Sequence, residues 1–234
     1  MRHISNHRMV LETLAEHRLV GARVVDVGCG DGRLARSLVE HGAASAVGIE
    51  CSPRQLAKAR ALPAMDGVTV VEGVGQALPL ADGTADIAVF FNSLHHIPAA
   101  NMATALGEAA RVLVPGGLVY ACEPIAEGAF YDLCRPVDDE AEVRRLAQEA
   151  LHSAAGLGLT VEREEVYCHP VRMADFETFR DRLVSANAER DEAFGRLSTE
   201  LRASFELLAG RDPTGAYTFD QPARMTLLRR VLNR

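Results

Sequence analysis

Residues 24–33, VVDVGCGDGR, constrain this 234-residue chain more than any other stretch. A β-branched run enters a turn with glycine at 28, 30 and 32, and the next apolar segment, AVGIE, ends on Glu50. Glycine at alternate positions takes every Cβ off a tight strand-to-helix turn, so a ligand can lie on the backbone. An acidic side chain 20 residues beyond Gly30 can accept hydrogen bonds from a ribose diol. These features point to an adenosyl-type ligand; the bland alternative is a turn that needs glycine for its shape and binds nothing.

Two ligands compete for such a turn. Dinucleotides favour G-x-G-x-x-G, whose helix N-terminus carries a pyrophosphate. Here Gly28-x-Gly30-x-x is followed by Arg33, so the third glycine is missing from that register. Asp26 and Asp31 flank the turn, and their carboxylates would repel a pyrophosphate. They suit a ligand with an ammonium, a sulfonium and no phosphate. S-adenosylmethionine (SAM) fits that description better than NAD.

Around the turn, helices and strands alternate. The stretch from about Ser5 to His17 is predicted helical, with Val10, Leu11 and Leu14 on one side. Strand Arg23–Val27, helix Arg33–His41, strand Ala46–Glu50 and a helix opened by Ser52-Pro53 follow, the last pair being a favourable N-cap and first-turn combination. Strand Val68–Glu72, loop Gly73–Asp82 and strand Ala85–Phe91 come next. Helix Ala99–Leu113 places Met102, Leu106, Ala109 and Leu113 on one stripe, and Pro115-Gly116-Gly117 leads into strand Leu118–Glu123. Such alternation implies βαβ crossovers and a parallel sheet. Beyond Pro124 we expect a helix over Glu140–Ser153, a strand over Thr160–Cys168, and two helical stretches. Phe176, Phe179 and Leu183 mark the first; Phe194, Leu197, Leu201, Phe205 and Leu208 mark the second. Gly210–Gly215 breaks them, and Tyr217–Leu232 forms a last strand with Pro222 at a bulge or edge.

The length suits one domain with an elaboration, able to bury about 70% of its extended surface. No apolar run reaches the ~18 residues that span a bilayer, and MRHISNHRMV has no signal core, so a cytoplasmic location is expected. The five cysteines, Cys29, Cys51, Cys122, Cys134 and Cys168, contain no C-x-x-C pair. They read as reduced thiols, with neither a disulfide frame nor a metal site. A net charge of −7 argues against general nucleic-acid binding and in favour of a small-molecule partner. Monomer and homodimer both stay open.

The chain resembles the class I SAM-dependent methyltransferases, in particular the small-molecule branch called methyltransferase domain type 11. VVDVGCGDG resembles the family's glycine motif and GIE its acidic ribose residue. QALPLADGTADIAVFFNSLHHI resembles the approach to strand four, and EAARVLVPGGLVYACEP the helix, turn and strand five that follow. The resemblance covers about residues 20–125. It implies an α/β, Rossmann-like sheet of seven strands in order 3-2-1-4-5-7-6, strand 7 antiparallel, with helices on both faces. Residues 1–18 would be an N-terminal helical lid, 19–125 the cofactor core, and 126–234 a substrate-side elaboration with a helical insertion at about 172–210, all in a single domain.

By the same resemblance Gly28, Cys29 and Gly30 lie against the methionine and ribose of SAM, and Asp26 helps hold the ammonium. Glu50 takes the ribose hydroxyls and Cys51 touches the adenine edge. Val74, Gly75, Gln76 and Ala77 line the adenine, and Asn92 offers a carbonyl to the ammonium. Where the family usually has an acid facing the adenine amino group, this chain has Val74; Gln76 or backbone carbonyls would replace it.

Methyl transfer is an in-line displacement, so alignment and desolvation dominate, and a base matters only for a protonated acceptor. His95 and His96 follow strand four at the sheet's switch point and are the candidate bases; a purely structural bond to the neighbouring loop is the alternative. Tyr131 is a candidate for orienting substrate. Arg180, Arg182, Arg190 and Arg196 read as a solvated face before an anion site, and His3, His7 and Arg8 as part of the lid. Asn92-Ser93-Leu94-His95 is not the N-P-P-Y-type run of adenine- or glutamine-directed enzymes. A nucleophilic cysteine beside proline and a magnesium-binding acid cluster are also missing there. The resemblance therefore implies methyl transfer from SAM to a small acceptor through oxygen or nitrogen, leaving S-adenosylhomocysteine. The rivals are an inactive SAM-binding sensor or partner subunit, and an RNA-modifying methyltransferase.

Overall fold

The computed structural model describes residues 1–184 and 189–231. In chain order the first half runs β1 (Arg2–His3), α1 (Asn6–Glu16), β2 (Arg23–Val27), α2 (Arg33–Glu40), β3 (Ser45–Glu50), α3 (Pro53–Ala61), β4 (Val68–Glu72), β5 (Ala85–Phe91) and α4 (Ala99–Val112). The second half runs β6 (Leu113–Pro124), α5 (Ala129–Cys134), α6 (Ala141–His152), β7 (Leu159–Met173), α7 (Phe176–Val184), α8 (Glu189–Arg196), α9 (Ser198–Leu208), β8 (Gly210–Arg211) and β9 (Tyr217–Arg230).

The sheet order is β1-β7-β9-β6-β5-β2-β3-β4, with β8 paired to β9. β4-β3-β2-β5-β6 pair in parallel throughout, as crossover connections require. Among the described residues nine strands replace the expected seven. The additions are two-residue strands: β1, which extends the order beyond β7, and β8, which folds back on β9. Two residues carry no readable alternation, which is why neither was foreseen.

Other boundaries move for local reasons. β6 begins at Leu113, ahead of Pro115-Gly116-Gly117, because Leu113 already pairs with Ala85; the register then shifts before Ile87 meets Leu118. β7 continues to Met173, and the short helix α5 was not anticipated. The second apolar helical stretch is broken at Leu197, whose φ of −103° and ψ of 10° leave the helix, so α8 and α9 are separate. Pro222 lies within β9, an interior strand and not an edge. Leu232, the expected end of that strand, lies outside the described residues. The helix expected from about Ser5 is α1, which starts at Asn6, and residues 2–3 ahead of it are extended.

The chain divides into two compact units. One comprises Asn6–Glu123, Arg145–Glu165 and Arg224–Arg234. Its core joins Val25, Val27, Ile49 and Phe90 of the strands to Met102, Leu106 and Ala109 of α4. α3 starts as its sequence dictates, with Ser52 Oγ accepting from Gln55 N at 3.4 Å and Pro53 at the first helical position. The other unit comprises Met1–Ser5, Pro124–Arg144 and Val166–Ala223. It buries an aromatic cluster of Phe176, Phe179, Phe194, Phe205 and Phe219. No helix among the described residues is long and apolar enough to cross a membrane.

Candidate functional site

The first βα turn is tight enough that Gly28 N and Cys29 N both donate to Ile49 O, at 2.8 and 3.1 Å. All three glycines have positive φ (74°, 57° and 75°), but for different reasons. A Cβ on Gly28 would meet Ser93 Cβ at 2.6 Å, and one on Gly32 would touch Val70 and Ala59 at 3.4 and 3.6 Å. A Cβ on Gly30 would meet nothing within 4 Å. The sequence reading gave the three glycines one purpose; only Gly30 borders open space. Cys29 is buried because Gly48 has no side chain: a Cβ there would stand 2.6 Å from Cys29 Sγ. Burial, with Asp26 and Glu50 nearby, pushes the Cys29 thiol far above its ordinary range, so it stays protonated.

Glu50 organises the turn. Its Oε2 accepts from Gly30 N at 2.8 Å, and its Oε1 accepts from Cys51 N at 2.9 Å and Ser52 N at 2.8 Å. A carboxylate offers about four acceptor positions, so roughly one remains. Asp26 differs sharply. It is 1% exposed and neither oxygen has a hydrogen-bond partner. Burial first, and then the charge of Glu50, push its pKa up to about 7.

At the carboxyl end of β5, Asn92 takes a left-handed conformation (φ 53°), which asparagine tolerates better than most residues. Its N–H donates to Cys122 O at 2.8 Å, and its side-chain oxygen accepts from Asn6 Nδ2 at 3.3 Å. The buried Asn6 at the start of α1, missed in the sequence, is thus tied to the tip of β5. Ser93, also missed, donates its hydroxyl to Val27 O at 2.6 Å and seats the β5 loop on the glycine turn.

The two histidines separate. His96 is exposed; His95 is buried, and its Nδ1 is hydrogen-bonded to Glu123 Oε2, both side chains being 3% exposed. Glu123 Oε1 accepts from Leu94 N at 2.9 Å, fixing the carboxylate at the end of β6. A carboxylate on Nδ1 holds the proton there and makes Nε2 the basic atom. The structure therefore brings Asp26, Gly28, Cys29, Gly30, Glu50, Cys51, Asn92 and His95 to the carboxyl ends of β2, β3 and β5, within one unit. Val74 and Ala77 form an isolated bridge in the loop after β4, with Gly75 buried and Val74, Gln76 and Ala77 at least partly accessible. A Cβ on Gly75 would strike Ile97 at 2.7 Å, so that glycine serves packing.

Tyr131 belongs to the other unit, and its hydroxyl already donates to Asp139 at 2.7 Å beneath the guanidinium of Arg144. The insertion arginines are mostly paired: Arg180 with Asp191, Arg190 with Asp138 and Glu140, Arg196 with Glu192. Arg182 lies over the Phe130 ring at 5.3 Å. Of the residues expected in a lid, His7 bonds Ser37 Oγ at 2.8 Å, Arg8 pairs with Glu12, and His3 sits on β1. A cavity of about 660 Å³ opens beside Glu16, Asp86, Pro115 and Arg229, and none of the candidate site residues lines it.

The methyltransferase domain family matches residues 24–117, from β2 into β6. An uncharacterized methyltransferase of Synechocystis sp. is 32% identical over 130 residues, 56% of this chain and 55% of that one. The dimethylglycine N-methyltransferase of Parasynechococcus marenigrum is 30% identical over 156 residues, 64% and 55% of the two chains. Among solved structures, the YcgJ protein of Bacillus subtilis superposes with a TM-score of 0.67 at 20% identity, covering 97% of this chain and 99% of that one. This chain is thus similar, over residues 24–117, to the methyltransferase domain of class I SAM-dependent enzymes. It spans about half the length of these curated relatives, and the family implies SAM as methyl donor.

Proposed function

We propose that this methyltransferase moves the methyl group of SAM to a small organic acceptor through an oxygen or nitrogen nucleophile. The residues fit the donor on two counts. Asp26 is a buried carboxylate without a partner, as an ammonium site requires. Gly30 leaves open the volume that any side chain would fill. In this reading Glu50 accepts a ribose hydroxyl at its remaining position, Asp26 and Asn92 hold the amino-acid head, and Val74–Ala77 with Cys51 border the adenine. Bound SAM supplies an activated methyl carbon on a sulfonium.

The observation that carries the acceptor assignment is the buried His95–Glu123 pair. Glu123 keeps Nδ1 protonated, so Nε2 can accept the proton of a hydroxyl or ammonium acceptor. A carbanion or an already ionised acceptor would not need it. The dimethylglycine N-methyltransferase relative, by its name a nitrogen methylator, supports the same class.

The test is turnover of SAM against panels of phenols, hydroxy acids, amines and thiols, in wild type and His95→Asn. Turnover of a hydroxyl or amine acceptor, falling at least about 100-fold in His95→Asn, is the expected result. Turnover that His95→Asn leaves unchanged rejects the base. SAM binding without turnover of any acceptor favours the sensor, and turnover only on RNA favours the third class.

A further inference from the structure

In the sequence no metal site was expected, because the adjacent His95 and His96 supply too few ligands and the cysteines contain no C-x-x-C pair. Strand pairing supplies what spacing did not. His3 on β1 pairs directly with Cys168 on β7, and β9, on the other side of β7, contributes Asp220. One imidazole nitrogen, the thiol sulfur and one carboxylate oxygen all lie within 4.8 Å of one another. All three residues belong to the same compact unit, and they stand apart from the glycine turn in residue and in element.

We propose that His3, Cys168 and Asp220 form a zinc site that fastens the edge strand β1 to β7 and β9. Zinc bonds of about 2.0–2.3 Å in a tetrahedron set ligand-to-ligand edges of roughly 3.3–3.8 Å. His3 Nδ1 and Asp220 Oδ1 already stand 3.9 Å apart, so small side-chain adjustments complete the edge. The donor set selects the metal. Calcium and magnesium want oxygen ligands throughout, whereas thiolate with imidazole and carboxylate suits Zn²⁺, with water in the fourth position.

The burial pattern fits a site that loads from solvent. Cys168 is fully buried, while the His3 and Asp220 side chains are 60% and 61% exposed. Without metal, the Cys168 thiol donates a hydrogen bond to the Asp220 carboxylate. On binding, the S–H bond breaks, its proton leaves to solvent, and sulfur and carboxylate both bond the ion. β1 has only two residues, held at its end by the Ile4 N to Cys168 O hydrogen bond of 3.0 Å, so a metal bond at His3 substantially strengthens its attachment.

Zinc affinity of the full chain is measured by competition with a chromogenic chelator, with cobalt(II) as the spectroscopic probe. We expect one zinc per chain and a near-ultraviolet cobalt–thiolate band that Cys168→Ser abolishes. His3→Ala and Asp220→Asn change exposed side chains and leave folding intact. Each should weaken zinc by at least the roughly 10–100-fold that losing even an outer-shell partner costs. Absence of zinc binding overturns the proposal, as does wild-type affinity in either exposed variant. Zinc held elsewhere, for example by the exposed Cys51, gives that second result.

Discussion

A carboxylate that is 1% exposed and unpaired on both oxygens gains nothing from its charge until a cation arrives. Asp26 titrates near pH 7 in the fold against an ordinary value of 3.8. The native state then binds more protons than the unfolded chain between about pH 4 and 7, so this group's contribution falls as pH climbs through that window and is level above it. Its charge costs on the order of 4 kcal/mol at pH 8. Asp26→Asn should therefore raise the unfolding midpoint at pH 8, raise it much less at pH 5, and weaken SAM at both. Thermal unfolding at the two pH values checks this; equal shifts would mean the carboxyl is not strained. In the proposed reaction Glu123 acts through His95. Glu123→Gln should lower turnover roughly 10–100-fold and shift the pH–rate profile, leaving the KM for SAM nearly unchanged. An unmoved profile with the same loss would mark Glu123 as structural only.

The β2–α2 crossover concentrates most of what was readable in the sequence, because a glycine turn is a local device with a local signature. The glycine spacing, Asp26 and Glu50 are all visible as letters. Their separate physical reasons are not, since Ser93 and Gly48 approach from distant parts of the chain. Two alanine substitutions separate these reasons. Gly28→Ala meets left-handed strain and the Ser93 contact together, about 2–5 kcal/mol of lost stability. Gly30→Ala meets the left-handed strain alone, about 1–2 kcal/mol, yet places a methyl where SAM is proposed to lie. Urea unfolding should rank Gly28→Ala as the more damaging, whereas titration calorimetry should find the deeper loss of SAM affinity per unit of stability in Gly30→Ala. The reverse ranking would contradict the separation. His95 shows the same limit: its position was legible, but its pairing with Glu123 depends on β5 and β6 being neighbours.

Across the whole molecule, legibility falls where contacts become long-range. The parallel strands of residues 23–91 and the helices between them were read nearly to the residue, because each repeats a strand-helix alternation, whereas β6 starts five residues ahead of the expected Leu118. The second half was harder. The apolar spacing that suggests one helix over Phe194–Leu208 is satisfied by two, since both α8 and α9 turn their phenylalanines into one aromatic core and Leu197 needs no helical geometry to join them. That core is built by residues far apart in sequence and is distinct from the cluster under β2 and β5. Phe205 lies at its centre, fully buried, with ring centroids of Phe176, Phe179, Tyr217 and Phe219 between 4.6 and 5.8 Å. Phe205→Ala should cost about 3–5 kcal/mol, the usual toll of emptying a buried phenylalanine site. If the two cores open separately, native-state hydrogen exchange will speed up in α7 and α9 while amides of β2 and β5 keep their wild-type rates. Equal acceleration in both sets would show that the two units unfold as one cooperative body.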